Sequence, residues 1–154
     1  MKKLLFVIVL FCCVFTVFSQ KNHPVSWSFE KQIITADSFN LVITAVINAP
    51  WHIYPLKESG GSLGLPTQII FEENSNIELI GEIEAKSADQ DSKPNAPYFS
   101  KGAIFIQKLK LKSKTASSLN FKIKYMACTN AMCLPPTTKQ FTVEFTEKDF
   151  KKDN

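Results

Sequence analysis

From Phe39 onward this chain reads in twos. Phe39, Leu41, Ile43, Ala45 and Ile47 alternate with more polar neighbours until Pro50 stops the run. Leu119, Phe121, Ile123 and Tyr125 alternate with Asn120, Lys122, Lys124 and Met126, and Phe141, Val143 and Phe145 alternate with Thr142 and Glu144. Phe105, Leu109 and Leu111 face one way while Lys108, Lys110 and Lys112 face the other. Side chains on a strand point to opposite faces in turn, so this period belongs to strands with one buried and one solvated face. Shorter apolar segments at 25–29, 68–71 and 77–83 bring the total to seven, with the polar turn Glu73-Asn-Ser-Asn76 between the last two. No stretch of a dozen residues carries a helical stripe. Seven short strands separated by turn signals predict an all-β chain folded as an immunoglobulin-like antiparallel β-sandwich, a small barrel being the alternative.

The amino terminus has a different character. Lys2 and Lys3 precede an apolar run over residues 4–18, and Val17-Phe18-Ser19 precedes Gln20. A positive segment, an apolar stretch and small residues at the cut describe an export signal, here expected to span residues 1–19. The run of fifteen residues is short against the roughly twenty that span a bilayer. Cys12 and Cys13 lie inside it without the small residue that lipidation would need before them. The expected mature protein is one exported domain, residues 20–146, with a charged and frayed tail at 147–154 and no membrane segment of its own. Removing Lys2 and Lys3 lowers the net charge from +4 to +2, too mild a balance to draw nucleic acid. The Lys108–Lys112 alternation is a solvated strand face, and the expected state is a monomer.

Two polar loops stand out: 56–65, with Gly60, Gly61 and Gly64, and 86–97, rich in Asp, Ser, Asn and Pro. Loops of this length in a compact domain are often functional. The Trp51-His52-Ile-Tyr54 cluster at a strand end reads as core and rim packing, with His52 as an acid or base for nearby thiols the sharper alternative.

Once the signal is gone, Cys128 and Cys133 are the two remaining cysteines, in Tyr125-Met-Ala-Cys-Thr-Asn-Ala-Met-Cys-Leu-Pro-Pro136. The spacing describes a hairpin with a cysteine on each arm. Parity places Cys128 in the outward series of Lys122, Lys124 and Met126, so it is expected at the surface. A disulfide closing about six residues would stabilise the chain by only about 2 kcal/mol through loop entropy. Lys122, Lys124 and Lys139 flank the pair, and positive charge favours the attacking thiolate. Three readings follow: thiol–disulfide exchange, a structural staple in an immunoglobulin-like binding module, or a copper(I) carrier using the cysteines with Met126 and Met132.

The hairpin resembles the amino-terminal periplasmic domain of DsbD, the bacterial thiol:disulfide interchange protein. The matching features are an aromatic three residues before the first cysteine and, after the second, Leu134-Pro-Pro-Thr-Thr-Lys139. Asn48-Ala-Pro-Trp-His-Ile-Tyr54, a Gly-rich loop and Leu65-Pro-Thr-Gln-Ile-Ile-Phe71 also match. Ile80-Gly-Glu-Ile-Glu84 and Phe99-Ser-Lys-Gly-Ala-Ile-Phe105 match more weakly. The resemblance implies a periplasmic protein-disulfide reductase component in which Cys133 forms mixed disulfides with partners and Cys128 resolves them. Its partners would be thioredoxin-like domains acting as electron donor or acceptor, and it would need no cofactor beyond the two sulfurs and no metal. The family also shields its disulfide with a loop carrying an acid and an aromatic. Here the 86–97 loop supplies Asp89 and Asp91 without an aromatic, leaving Tyr98 as the cap candidate and Phe99 and Tyr125 as rim candidates.

Overall fold

A computed structural model describes residues 23–57, 64–88 and 98–150. The expected export signal, Asp89 and Asp91 of the expected cap, and the last four residues lie outside the described residues. Among the described residues nine strands run in chain order: β1 (Val25–Ile33), β2 (Ser38–Ile47), β3 (His52–Ile53), β4 (Gln68–Phe71), β5 (Ile77–Ser87), β6 (Gly102–Leu111), β7 (Ser117–Tyr125), β8 (Ala127–Cys128) and β9 (Thr137–Phe145), followed by the helical turn α1 (Glu147–Phe150). All seven segments expected from the alternation are strands. The two additions, β3 and β8, are two residues each, too short to show any period.

The strands form a four-stranded sheet in the order β1-β2-β6-β5 and a three-stranded sheet in the order β4-β7-β9; β3 and β8 pair apart from both. Every strand pairing is antiparallel. The inward faces are those that parity selects. Phe39, Leu41, Ile43 and Ala45 of β2, Phe105 and Leu109 of β6, and Leu119, Phe121, Ile123 and Tyr125 of β7 are all buried in one core, joined by Val143 and Phe145 of β9. Lys108, Lys110 and Lys112 are exposed, as a solvated face requires. Burying each large apolar side chain stabilises the fold by roughly 1.5–3 kcal/mol, so this two-sided face holds the sandwich together.

One register break is built into β5. Between the pairs Ile80↔Lys108 and Glu84↔Ile106, three β5 residues oppose Gln107 alone. Gly81 takes a positive φ of 71° there, a conformation glycine adopts without steric cost. The buried Gln107 amide fills the gap, its Nε2 donating to the carbonyls of Ile80 and Lys108 at 3.2 and 3.0 Å.

Residues 147–150, the described part of the expected tail, are held in place rather than frayed. Thr146 N–H donates to Asp149 Oδ2 at 2.7 Å, and Asp149 N–H donates to the Thr146 carbonyl at 3.0 Å. That reciprocal cap closes α1. Lys31 reaches Asp149 at 2.7 Å, and the Phe150 ring stands edge-on to Phe39. A charged sequence hid a docked turn because its anchors lie on β1 and β2, more than a hundred residues away.

Candidate functional site: the hairpin disulfide and its aromatic cover

Strand β7 carries its regular alternation as far as Tyr125, whose ring meets Trp27 edge-on and whose hydroxyl lies 3.0 Å from His23 Nδ1. After Met126 the chain leaves the three-stranded sheet and enters β8, pairing with β3 as His52↔Cys128 and Ile53↔Ala127. On its other side β8 meets the returning arm of the hairpin, where Cys128 and Cys133 form a bridge. Leu134 N–H donates to the Ala127 carbonyl at 2.9 Å, and Thr129 N–H donates to the Met132 carbonyl at 2.7 Å. Those two bonds flank the cysteines and leave them as a non-hydrogen-bonded pair, the closer of the two antiparallel pair types. Their Cα atoms are 4.0 Å apart and the sulfurs are bonded.

The tip is organised by Thr129. Its Oγ1 accepts the N–H groups of Ala131 and Met132 at 3.2 and 3.1 Å. These bonds draw the chain back within four residues and set the register that joins the sulfurs. The sequence reading passed over Thr129, although a threonine opening a short polar loop is a known turn former.

A third arm joins β3 from the other edge. Ile53 and Phe99 exchange both backbone hydrogen bonds, at 3.0 and 2.8 Å. Ile53, Phe99 and Ala127 thus share the face turned to the core, and all three are buried. By the same register His52, Tyr54, Tyr98, Cys128 and Cys133 share the opposite face. The His52 and Tyr98 rings lie tilted over one another with centroids 4.3 Å apart, and Tyr54 meets His52 edge-on at 5.5 Å. A side chain at Gly64 would collide with the Tyr54 ring, so that glycine permits the loop to press on the cluster.

This arrangement corrects the surface position expected for Cys128. The residue does point away from the sandwich core, as parity requires, yet it is only 1% exposed. Its β3 partner His52 stands directly across from it, a tertiary pairing that alternation cannot register. Cys133, by contrast, is exposed beside Met132. Tyr98, the cap candidate, is half exposed over His52. Phe99 and Tyr125, the rim candidates, are buried in the core instead. The lysines also differ from expectation, since Lys122 is paired with Glu72 at 3.2 Å on the three-stranded sheet.

Both histidines come to this end of the molecule. Burial lowers the pKa of His52 below its ordinary value. His23 is lowered by burial and then by the charge of Lys139. Beside the exposed cysteine, a cavity of about 550 Å³ runs between His23, Trp51, Met132, Leu134 and Pro136. Among the described residues no cluster of three or more His, Cys, Asp or Glu side chains is placed to hold a metal, and no helix is long and apolar enough to cross a membrane.

Fold and site together define an immunoglobulin-like β-sandwich carrying a hairpin disulfide with one cysteine covered and the other exposed. The fold is similar to that of the N-terminal periplasmic domain of ScsB from Proteus mirabilis, with a TM-score of 0.50 and 13% identity over 84% of this chain. The chain spans 49% of that structure's length. The Neisseria meningitidis DsbD N-terminal domain, solved in its reduced form, aligns over 77% of this chain and 90% of its own, with 12% identity and a TM-score of 0.45. The yeast GGA1 GAE domain aligns over 82% of this chain and 96% of its own at 11% identity and 0.46. At 13% identity the likeness to the ScsB domain is one of fold. No protein-family model matches the chain. No curated protein matches it either.

Proposed function

We propose that this chain is an exported thiol–disulfide exchange module, passing electron pairs between thioredoxin-like proteins through Cys128 and Cys133. The observation that carries the reading is the asymmetry of the pair. An incoming thiolate must approach along the S–S axis, and Cys133 is exposed while Cys128 is covered. Attack on Cys133 forms a mixed disulfide with the partner and expels the electron pair onto Cys128 Sγ. The partner's second thiolate then attacks its own bridging sulfur, so Cys133 is released, the module holds both thiols and the partner leaves oxidised. The reverse sequence lets the reduced module pass its electron pair to an oxidised partner. The electron pair passes through the two sulfurs, with no cofactor beside them.

Two further points support the reading. A disulfide closing so short a loop adds about 2 kcal/mol to a sandwich that already has a large core, so stability alone gives it little purpose. The hairpin sequence also resembles the amino-terminal domain of DsbD. With the amino-terminal pattern of an export signal ending at Ser19, the resemblance favours the periplasm as the working compartment.

The test is the reduction potential of the pair, measured by equilibration in graded glutathione buffers with mass-spectrometric counting of alkylated thiols. Working oxidoreductases lie at roughly −120 to −270 mV, and structural disulfides below about −300 mV. A value in the first range is expected. A value in the second would leave a binding module with a stapled hairpin.

A further inference from the structure

The register places His52 directly across from Cys128, with Cys133 on the far side of that cysteine. Directly opposed residues on one face of an antiparallel pair hold their Cβ atoms about 4.5–5.5 Å apart, within reach of an imidazole. His52 is buried to 7% exposure and fixed between two tyrosine rings. The titratable groups that face it among the described residues are Tyr54 on its own strand, Tyr98 on the adjoining arm and Cys128 on β8. Among the described residues no carboxylate or ammonium shifts its pKa; burial lowers it and so favours the neutral imidazole.

We propose that His52 is the proton acceptor for Cys128 when that cysteine resolves a mixed disulfide on Cys133. The inference rests on the exchange reading above and deepens it. In a mixed disulfide Cys128 is a covered thiol, and burial in apolar surroundings raises a thiol's pKa. A thiol is a poor nucleophile, so the resolving step needs a base close by. His52 takes the Sγ proton and becomes imidazolium. The Cys128 thiolate then attacks Cys133 Sγ, the Cys128–Cys133 bond forms, and the bond from Cys133 to the partner sulfur breaks. The partner leaves as a thiolate, which receives the proton from His52 directly or through solvent. Two electrons move from Cys128 to the partner sulfur, and one proton passes by way of the imidazole. The ring nitrogen supplies the base, while Tyr54 and Tyr98 supply its orientation.

The experiment uses the full chain with Cys12→Ser and Cys13→Ser, so that the hairpin pair alone reacts. After reduction, the protein is mixed with excess aromatic nitrobenzoate disulfide. The exposed Cys133 thiolate releases one nitrothiolate as it forms a mixed disulfide. Attack by Cys128 then releases the second in a phase independent of reagent concentration. In the wild-type protein the second phase should speed up as pH rises through the lowered pKa of His52. It should then level off before the thiol's own ionisation begins. His52→Gln should lose that lower inflection and slow the phase roughly ten- to thirtyfold at neutral pH. The thirtyfold figure takes the ordinary thiol pKa of about 8.5, at which about 3% is ionised at pH 7, and burial of Cys128 pushes the effect toward that end or beyond it.

His52→Phe keeps a ring against Tyr98 and removes the nitrogens, and it should slow the phase equally. Wild-type rates in His52→Phe would overturn the proposal and leave His52 a packing residue. Slowed rates with an unchanged pH profile in both variants would do the same. Because the assay needs no protein partner, it reads His52 even where the reduction potential sinks the exchange reading, so the two failures are distinguishable.

Discussion

The sandwich body and the small annex of β3, β8 and the hairpin are built on different principles. In the body, strands of four to eleven residues pair along their length and press rows of Phe, Leu and Ile into one core. In the annex, two-residue strands hold a disulfide, an imidazole and two phenol rings on one face, while Ile53, Phe99 and Ala127 root the other face in that core. The body derives its stability from area. The annex derives its geometry from register, and its reactive face is free of the core's packing demands.

That contrast is tested most strongly by comparing one change in each region. Phe121 packs against Phe29, Phe71 and Phe141 in the body, and Phe121→Ala should lower unfolding free energy by about 3–5 kcal/mol. Reduction of the hairpin disulfide should lower it by about 2 kcal/mol and leave the far-ultraviolet spectrum intact. Denaturant titration of the two species gives both numbers. A reduced protein that lost as much as Phe121→Ala would show that the annex carries the fold.

A smaller change sharpens the role of register. Thr129→Val keeps the shape of the side chain and removes the acceptor used by the Ala131 and Met132 amides. The expected cost is about 1 kcal/mol. Hydrogen exchange should quicken at those two amides while β2 and β6 stay protected. Uniform quickening across the body would contradict a local role.

The smallest effect concerns pH. Both histidines have folded-state pKa values below the ordinary 6.5. The unfolded chain therefore binds protons first as pH falls, so stability holds above about 6.5 and declines from there down to the folded values. His23→Gln should flatten part of that decline, and Lys139→Gln should lessen the His23 share by removing the second cause of its shift. Melting temperatures across that window in the three proteins would show it. A stability that rises on acidification there would break the argument.

How far the sequence was legible follows from the length of each pattern. Period two over five or more residues identified β2, β6, β7 and β9 with their inward faces, because burial on one side of a strand imposes that alternation on every residue. The same logic failed for the tail, where Asp149 and Phe150 find Lys31 and Phe39 across the fold. At Cys128 parity gave the direction of the side chain and missed its burial. The disulfide partner was legible, since two cysteines five residues apart in a hairpin have little choice.

The sequence alone thus determined an all-β sandwich, its core faces and the pairing of Cys128 with Cys133, each being a local or periodic property of the chain. Tertiary structure alone decided that His52 stands opposite Cys128, that Tyr98 lies over His52, and that one cysteine is covered while its partner is exposed. Residues 52 and 98 lie far along the chain from the hairpin cysteines, and nothing in their local sequence relates them to that pair. They meet because the core side of the annex packs Ile53, Phe99 and Ala127 together, and antiparallel register then fixes what stands on the other face.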